Sequence, residues 1–170
     1  MSKEASNAPA ASLRPFLAGD TPVLAAILSA AIFELTGDDY DNDQQEAWAA
    51  VADDEPALAA RLGKALTLVA ERGGAPVGFI ALADNRVIAL LYVHPDVVGE
   101  GIGSLLCDAI ERLATARGAK SVTADASDTA LDFFRKRGYI ARQRNTVTLG
   151  TVWIGNTTVE KSLAVAPAAS

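Results

Sequence analysis

The stretch VHPDVVGEGIGSLL, residues 93–106, ends a hydrophobic run, turns at Pro95 and sets Gly99, Gly101 and Gly103 at alternate positions before a helical pattern. From Gly101 to Arg117 the apolar positions Ile102, Leu105, Leu106, Ala109, Ile110 and Leu113 follow one helical face, which Gly118 closes. A strand that feeds a glycine-rich turn opening a helix presents free backbone N–H groups at the positive end of the helix dipole, an arrangement suited to phosphate oxygens. A diphosphate is the guest that this turn predicts. Two common phosphate loops fit poorly: the stretch lacks the Lys-Ser/Thr ending of a Walker loop, and its glycines run G-x-G-x-G where the dinucleotide fingerprint has G-x-G-x-x-G. The competing reading of the glycines is tight helix–strand packing and nothing more.

Upstream of the turn, LTLVAE (66–71), PVGFIALA (76–83) and RVIALLYV (86–93) are strands joined by turns at Gly73-Gly74 and Asp84-Asn85. They form an antiparallel meander, which a dinucleotide-binding fold does not supply. Before it come a short edge strand, SLRPF (12–16), and a helix within 19–37 capped by Asp20, with Pro22 in its first turn and Gly37 beyond its end. Helical signals continue through 42–52 and 57–65. Downstream, KSVTAD (120–125) is a strand. Ser127 or Asp128 caps a helix running to Arg137, with Arg135, Lys136 and Arg137 in its last turn and Gly138 as its stop. Residues 139–149 and 151–163 close the chain as a hairpin around Gly150. The order predicts an α+β sheet covered by helices.

Composition limits what such a turn belongs to. A chain of 170 residues, 50% of them hydrophobic, is expected to form one domain over 12–164, burying roughly 70% of its unfolded surface, between disordered ends at 1–11 and 165–170. One cysteine, Cys107, and one histidine, His94, exclude an internal disulfide and a multi-thiolate or His-rich metal site, so no metal is expected. Apolar segments shorter than the ~20 residues of a bilayer span, and a polar start without a hydrophobic signal core, predict a cytoplasmic protein with no membrane partner. The net charge of -6 argues against nucleic-acid binding. Residues 1–85 hold 13 acids and 5 bases, and residues 86–170 hold 8 acids and 10 bases. The glycine turn thus lies in the half suited to an anion, and the acidic half favours a cation.

The segment from Leu90 to Tyr139 resembles the acetyl-CoA-binding core of the GNAT acetyltransferase superfamily, whose pattern is a strand, a proline, then Arg/Gln-x-x-Gly-x-Gly/Ala opening a helix. Here that motif falls on Val98, Gly99, Glu100, Gly101, Ile102 and Gly103, followed by Ser104. The resemblance implies a mixed, mostly antiparallel central sheet of about seven strands, splayed between the fourth and fifth, with helices on both faces. It implies that acetyl-CoA is the cosubstrate. The backbone of Leu91, Tyr92 and Val93 would pair with pantetheine as a neighbouring strand does. Ser127, Ala130 and Phe134 would flank the thiol, while Arg137, or Arg135 or Lys136, would help neutralise phosphate.

Two departures matter. Val98 stands where the family favours Arg or Gln, and Phe134 stands where many relatives carry the tyrosine that protonates the departing thiolate. General acid help is worth ~10²–10⁴-fold, yet a thiol of pKa near ~8.5 leaves readily, so catalysis survives as a reading. Tyr92, Tyr139, Tyr40 or a water is the candidate substitute acid. Glu34, with Asp38 and Asp39, is the candidate for amine recognition or base, and a strand N–H near Val93 for holding the oxyanion. His94 reads as a turn residue, Cys107, Trp48 and Trp153 as packing. The expected activity is direct transfer of acetyl to a primary amine of a small molecule or peptide, with a cationic acceptor and a possible homodimer. A non-catalytic acetyl-CoA sensor and a nucleotide-phosphate binder are the alternatives.

Overall fold

The computed structural model describes residues 10–163; of the disorder expected at 1–11 and 165–170, residues 1–9 and 165–170 lie outside them. In chain order the elements are β1 (Ser12–Pro15), α1 (Thr21–Leu35), α2 (Asn42–Ala49), α3 (Glu55–Lys64), β2 (Leu66–Arg72), β3 (Ala75–Ala83), β4 (Val87–Val93), α4 (Ile102–Ala116), β5 (Ser121–Ser127), α5 (Leu131–Lys136), β6 (Ile140–Leu149) and β7 (Val152–Ser162). They build one seven-stranded sheet ordered β1-β2-β3-β4-β5-β7-β6. Every neighbouring pair is antiparallel except β4 and β5, which run parallel.

Strand alternation divides the core between the two faces. Leu68, Ile80 and Leu82 point to the face covered by α4, where they meet Leu106, Cys107 and Ile110. Val69, Phe79 and Ala81 point to the other face, against Leu24, Leu28 and Ile32 of α1 and Leu58 and Leu62 of α3. By length and composition alone Ala18–Leu35 is apolar enough to compare with a membrane span. Its Leu24, Ile27, Leu28 and Ile32 are instead buried in the fold.

One irregularity positions the site. Along β3–β4, Ala81 pairs with Leu90 and Leu82 with Ile88, so Ala89 is an extra residue, a β-bulge. Without it Ile88 and Leu90 would share a face; with it Ile88 joins the α4 core and Leu90 the α1–α3 core. The bulge therefore sets which way Leu91, Tyr92 and Val93 point.

Local chemistry corrects three expectations. Asp20 stands at the start of α1, but its side chain makes no cap there: it accepts from the Leu17 amide at 2.8 Å and pairs with Arg14 at 2.8 Å. Arg14 also holds Glu71 of β2 at 2.5 Å, so the carboxylate fastens the edge strand instead. The helix expected after Ser127 is the short α5, with Ala130 at its cap position and Arg137 just past its end. Ser127 Oγ accepts from the Ala130 amide at 3.1 Å and closes the turn between strand and helix. Trp153 is 69% exposed on β7 rather than packed.

Candidate active site

The glycines of the turn do different jobs. Gly99 and Gly101 have φ of +82° and +88°, and a Cβ on either would meet nothing within 4 Å. Only the backbone conformation demands glycine there, and the space above is open. Gly103 lies inside α4, where a Cβ would come within 3.3 Å of the Phe133 ring; it is a packing glycine. Gly78 on β3 seats the helix: a Cβ there would lie 3.0 Å from the Tyr92 carbonyl and 3.1 Å from Ile102 Cγ2.

The cradle is narrower than the motif. The Val98 amide donates to Pro95 at 3.4 Å and the Glu100 amide to Val97 at 3.2 Å, so both are used inside the turn. The Glu100 side chain turns outward to Arg72 at 2.8 Å. The first amide of α4 with a backbone acceptor is that of Leu105, bonded to Gly101 at 3.0 Å. That leaves the N–H groups of Gly99, Gly101, Ile102, Gly103 and Ser104 without an acceptor among the described residues, and no side chain caps the fifteen-residue α4. All five residues line one cavity of about 450 Å³, with Val98 on its rim. An uncapped helix start over open space fits a diphosphate. Among the described residues no cation lines that cavity. Arg137, expected to help neutralise phosphate, instead donates to Asp108 at 2.7 Å and to Glu111 at 3.0 Å and stacks on the Phe133 ring.

The same cavity runs into a gap in the sheet. β4 and β5 pair only at Val87–Thr123 and Ile88–Ala124 and then diverge. Between them opens a cavity of about 170 Å³, bounded by Leu91, Tyr92 and Val93 on one side and Ala126, Ser127, Ala130 and Phe134 on the other. The His94 amide donates to Val77 of β3 at 2.8 Å. Backbone alternation then turns the amides of Val93 and Leu91 to the gap, and that of Tyr92 back to β3.

Beyond the gap a third cavity, of about 230 Å³, extends over the opposite face. Tyr92, Trp48, Ala89, Leu90, Asp125 and Ser127 line both it and the gap. Asp125 was not legible as a site residue in the sequence; its signal is alternation in β5, where Val122, Ala124 and Ala126 are buried and Asp125 faces away. One carboxylate oxygen accepts from Thr158 Oγ1 at 2.6 Å.

The tyrosines separate cleanly. Tyr139 is buried outside the gap and donates to Glu111 at 2.9 Å, beside Lys161 at 2.7 Å from the same carboxylate. Burial and the Glu111 charge push its pKa far up, and Tyr139, a candidate acid by sequence, packs in the core and lines none of the three cavities. Tyr40 donates to the Gly155 carbonyl at 2.7 Å and accepts from the Asp128 amide at 2.9 Å, tying the α1–α2 loop to both ends of the site. Tyr92 accepts from the Trp48 indole N–H at 3.0 Å and its own proton has no acceptor among the described residues. Burial pushes its pKa up to about 12. Glu34 is exposed on α1 and lines none of the three cavities; Asp39 accepts from Thr129 at 2.7 Å across the gap mouth. The carboxylate that lines the gap and the chamber is that of Asp125 and not that of Glu34. Cys107 is buried, its pKa pushed up to about 12 by desolvation, and His94 accepts from the Asp96 amide at 3.1 Å within its turn.

Comparison with known proteins gives three findings. Residues 36–155 match the family model described as acetyltransferase (GNAT) domain. The chain is 29% identical over 144 residues to the uncharacterized N-acetyltransferase YafP of Escherichia coli K12, covering 85% of this chain and 91% of that protein. Among solved structures, one named GCN5-related N-acetyltransferase: aminotransferase, class-II, from Rhodopseudomonas palustris, is 53% identical with a TM-score of 0.89 and covers 94% of this chain and 99% of its own. The PaiA N-acetyltransferase of Thermoplasma acidophilum, in complex with coenzyme A, superposes with a TM-score of 0.75 at 18% identity, covering 90% of this chain and 99% of its own.

Proposed function

The chain belongs to the GNAT acetyltransferase family, and from that premise we propose that it moves the acetyl group of acetyl-CoA directly to a primary amine of a small molecule or peptide. The observation that carries this reading is the continuity of three cavities: uncapped amides at the start of α4, a parted pair of strands, and a chamber of mixed polar and apolar lining behind them.

The amides of Gly99, Gly101, Ile102, Gly103 and Ser104 would hold the diphosphate, and the gap-facing backbone of Leu91 and Val93 the pantetheine amides. When bound, the cofactor supplies a thioester: the C–N bond forms as the C–S bond breaks, sulfur keeps the electron pair, and of the two protons the ammonium loses one ends on sulfur and one in solvent. Asp125, on the chamber side of the gap, faces the entering amine and takes its first proton, directly or through water. The Tyr92 O–H, free to donate, faces the departing sulfur. With a pKa of about 12 it holds its proton too tightly to give it up to a thiolate of conjugate-acid pKa near ~8.5. Its contribution is a hydrogen bond to the developing charge, and Phe134 needs no hydroxyl.

Free-thiol release from acetyl-CoA in the presence of mixed primary amines tests the reading. Amine-dependent release supports it; binding of the cofactor without such release would identify a sensor and reject it.

A further inference from the structure

The chamber beyond the gap carries one more charge. Arg61, in the last turn of α3, lines it together with Asp125. Arg14, Arg72, Arg137, Arg142 and Arg144 each pair with a carboxylate. Arg61, exposed on α3, has no carboxylate or hydrogen-bond acceptor for its guanidinium among the described residues; Arg86, Arg112, Arg117 and Arg135 share that state, but of the five Arg61 alone lines the chamber. Charge at the end of α3 does not require it, since Lys64 occupies the same last turn. It lines the same cavity as Tyr92, Trp48 and Asp125.

The rest of the wall is mixed: Val51, Val147, Leu149 and Ile154 give it an apolar side, and Tyr40, Ser127 and Asn156 add polar groups. Of these, Val51 and Val147 are each 38% exposed and present apolar surface to the chamber. A pocket with one unmatched guanidinium, one carboxylate with a free oxygen and an apolar side complements a molecule with an anion, a cation and an apolar arm. An amine without a carboxylate would leave Arg61 unmatched, whereas a carboxylate would meet the planar fork that binds it in two hydrogen bonds.

We infer that the acceptor is a zwitterionic amino carboxylate with an apolar side chain, Arg61 holding its carboxylate while Asp125 faces its amine. This deepens the acetyl-transfer reading and rests on it. It also revises the purely cationic acceptor drawn from the acidic first half of the sequence: those acids lie largely outside the chamber, and a cation lies inside.

The test measures kcat/KM by thiol release for L-leucine, L-leucinamide and 3-methylbutylamine, which share an apolar arm and a primary amine but only the first of which has a carboxylate. The expected result is a preference of about tenfold or more for leucine over either comparator, the scale of one charge-assisted hydrogen bond. Arg61→Met should remove most of that preference, chiefly through KM, and Arg61→Lys should restore part of it, because lysine keeps the charge without the fork. Thiol release with the carboxylate-free amines at rates equal to or above leucine would overturn the inference and leave acetyl transfer standing, as would a preference that survives in Arg61→Met. No release with any of the three would overturn both.

Discussion

Tyr92, among the three tyrosines, has the one hydroxyl proton without an acceptor in the described structure, and it stands where the gap and the chamber meet. Tyr92→Phe should lower kcat about tenfold to a hundredfold, toward the low end of general acid effects because a hydrogen bond and not a full proton is lost. Cofactor affinity and the circular-dichroism spectrum should not change, and Tyr139→Phe should spare kcat at the expense of stability. Gly101 makes a second prediction at this scale. Its φ of +88° costs a side chain on the order of 1–2 kcal/mol, and Gly101→Leu would also project into the cradle. Calorimetric titration should show loss of coenzyme A binding in a folded protein; tight binding would mean that the amides at the start of α4 do not hold the diphosphate. Glycines at 99, 101 and 103 were visible in the sequence as a set. That 103 answers to Phe133, and the other two to backbone conformation, was not, because a one-dimensional pattern carries neither φ nor neighbours.

At the scale of elements, α4 is useful only where it is seated. Ile102 and Leu106 rest on β3 at Gly78, where the Tyr92 carbonyl and Ile102 leave no room for a methyl group without movement. Gly78→Val should push the first turn of α4 off the sheet and weaken coenzyme A binding by tenfold or more, more than its effect on the urea midpoint would imply, since the helix start moves while the rest of the core stays packed. The strands and most helices were legible from alternation and helical spacing. The bulge at Ala89 was not: RVIALLYV is apolar at almost every position, so no alternation betrays the extra residue, and only pairing with β3 fixes it. Asp125 escaped for a related reason. A single acid in KSVTAD reads as solvent-facing until a neighbouring strand parts and the face becomes a chamber wall.

For the molecule as a whole, buried acids of raised pKa set a limit to alkaline stability. Tyr92, ordinarily at 10.0, stands at about 12, and Cys107, ordinarily at 9.0, at about 12; Tyr40 and Tyr139 also shift upward. Each binds its proton more tightly in the folded chain than in the unfolded one. The fold is therefore favoured fully below the unfolded values and loses that advantage as pH rises through the interval up to the folded ones. Tyr92 alone accounts for on the order of 3 kcal/mol across that interval. Urea midpoints should stay level from about pH 7 to 9 and fall steeply by about pH 11; a level midpoint to that limit would show that these groups ionise without unfolding.

The chain's order of residues alone determined the seven-stranded α+β plan and the glycine-rich turn that opens α4 with free amides, since both follow from near-neighbour rules: periodicity, turn residues and the exposed amides of a helix start. Which tyrosine keeps a usable proton, which cations are already matched, and that Arg61 of α3 and Asp125 of β5 share one chamber were decided only by the folded chain. Those facts depend on distances between residues far apart in sequence, set by packing two layers of helices on a sheet that parts between β4 and β5.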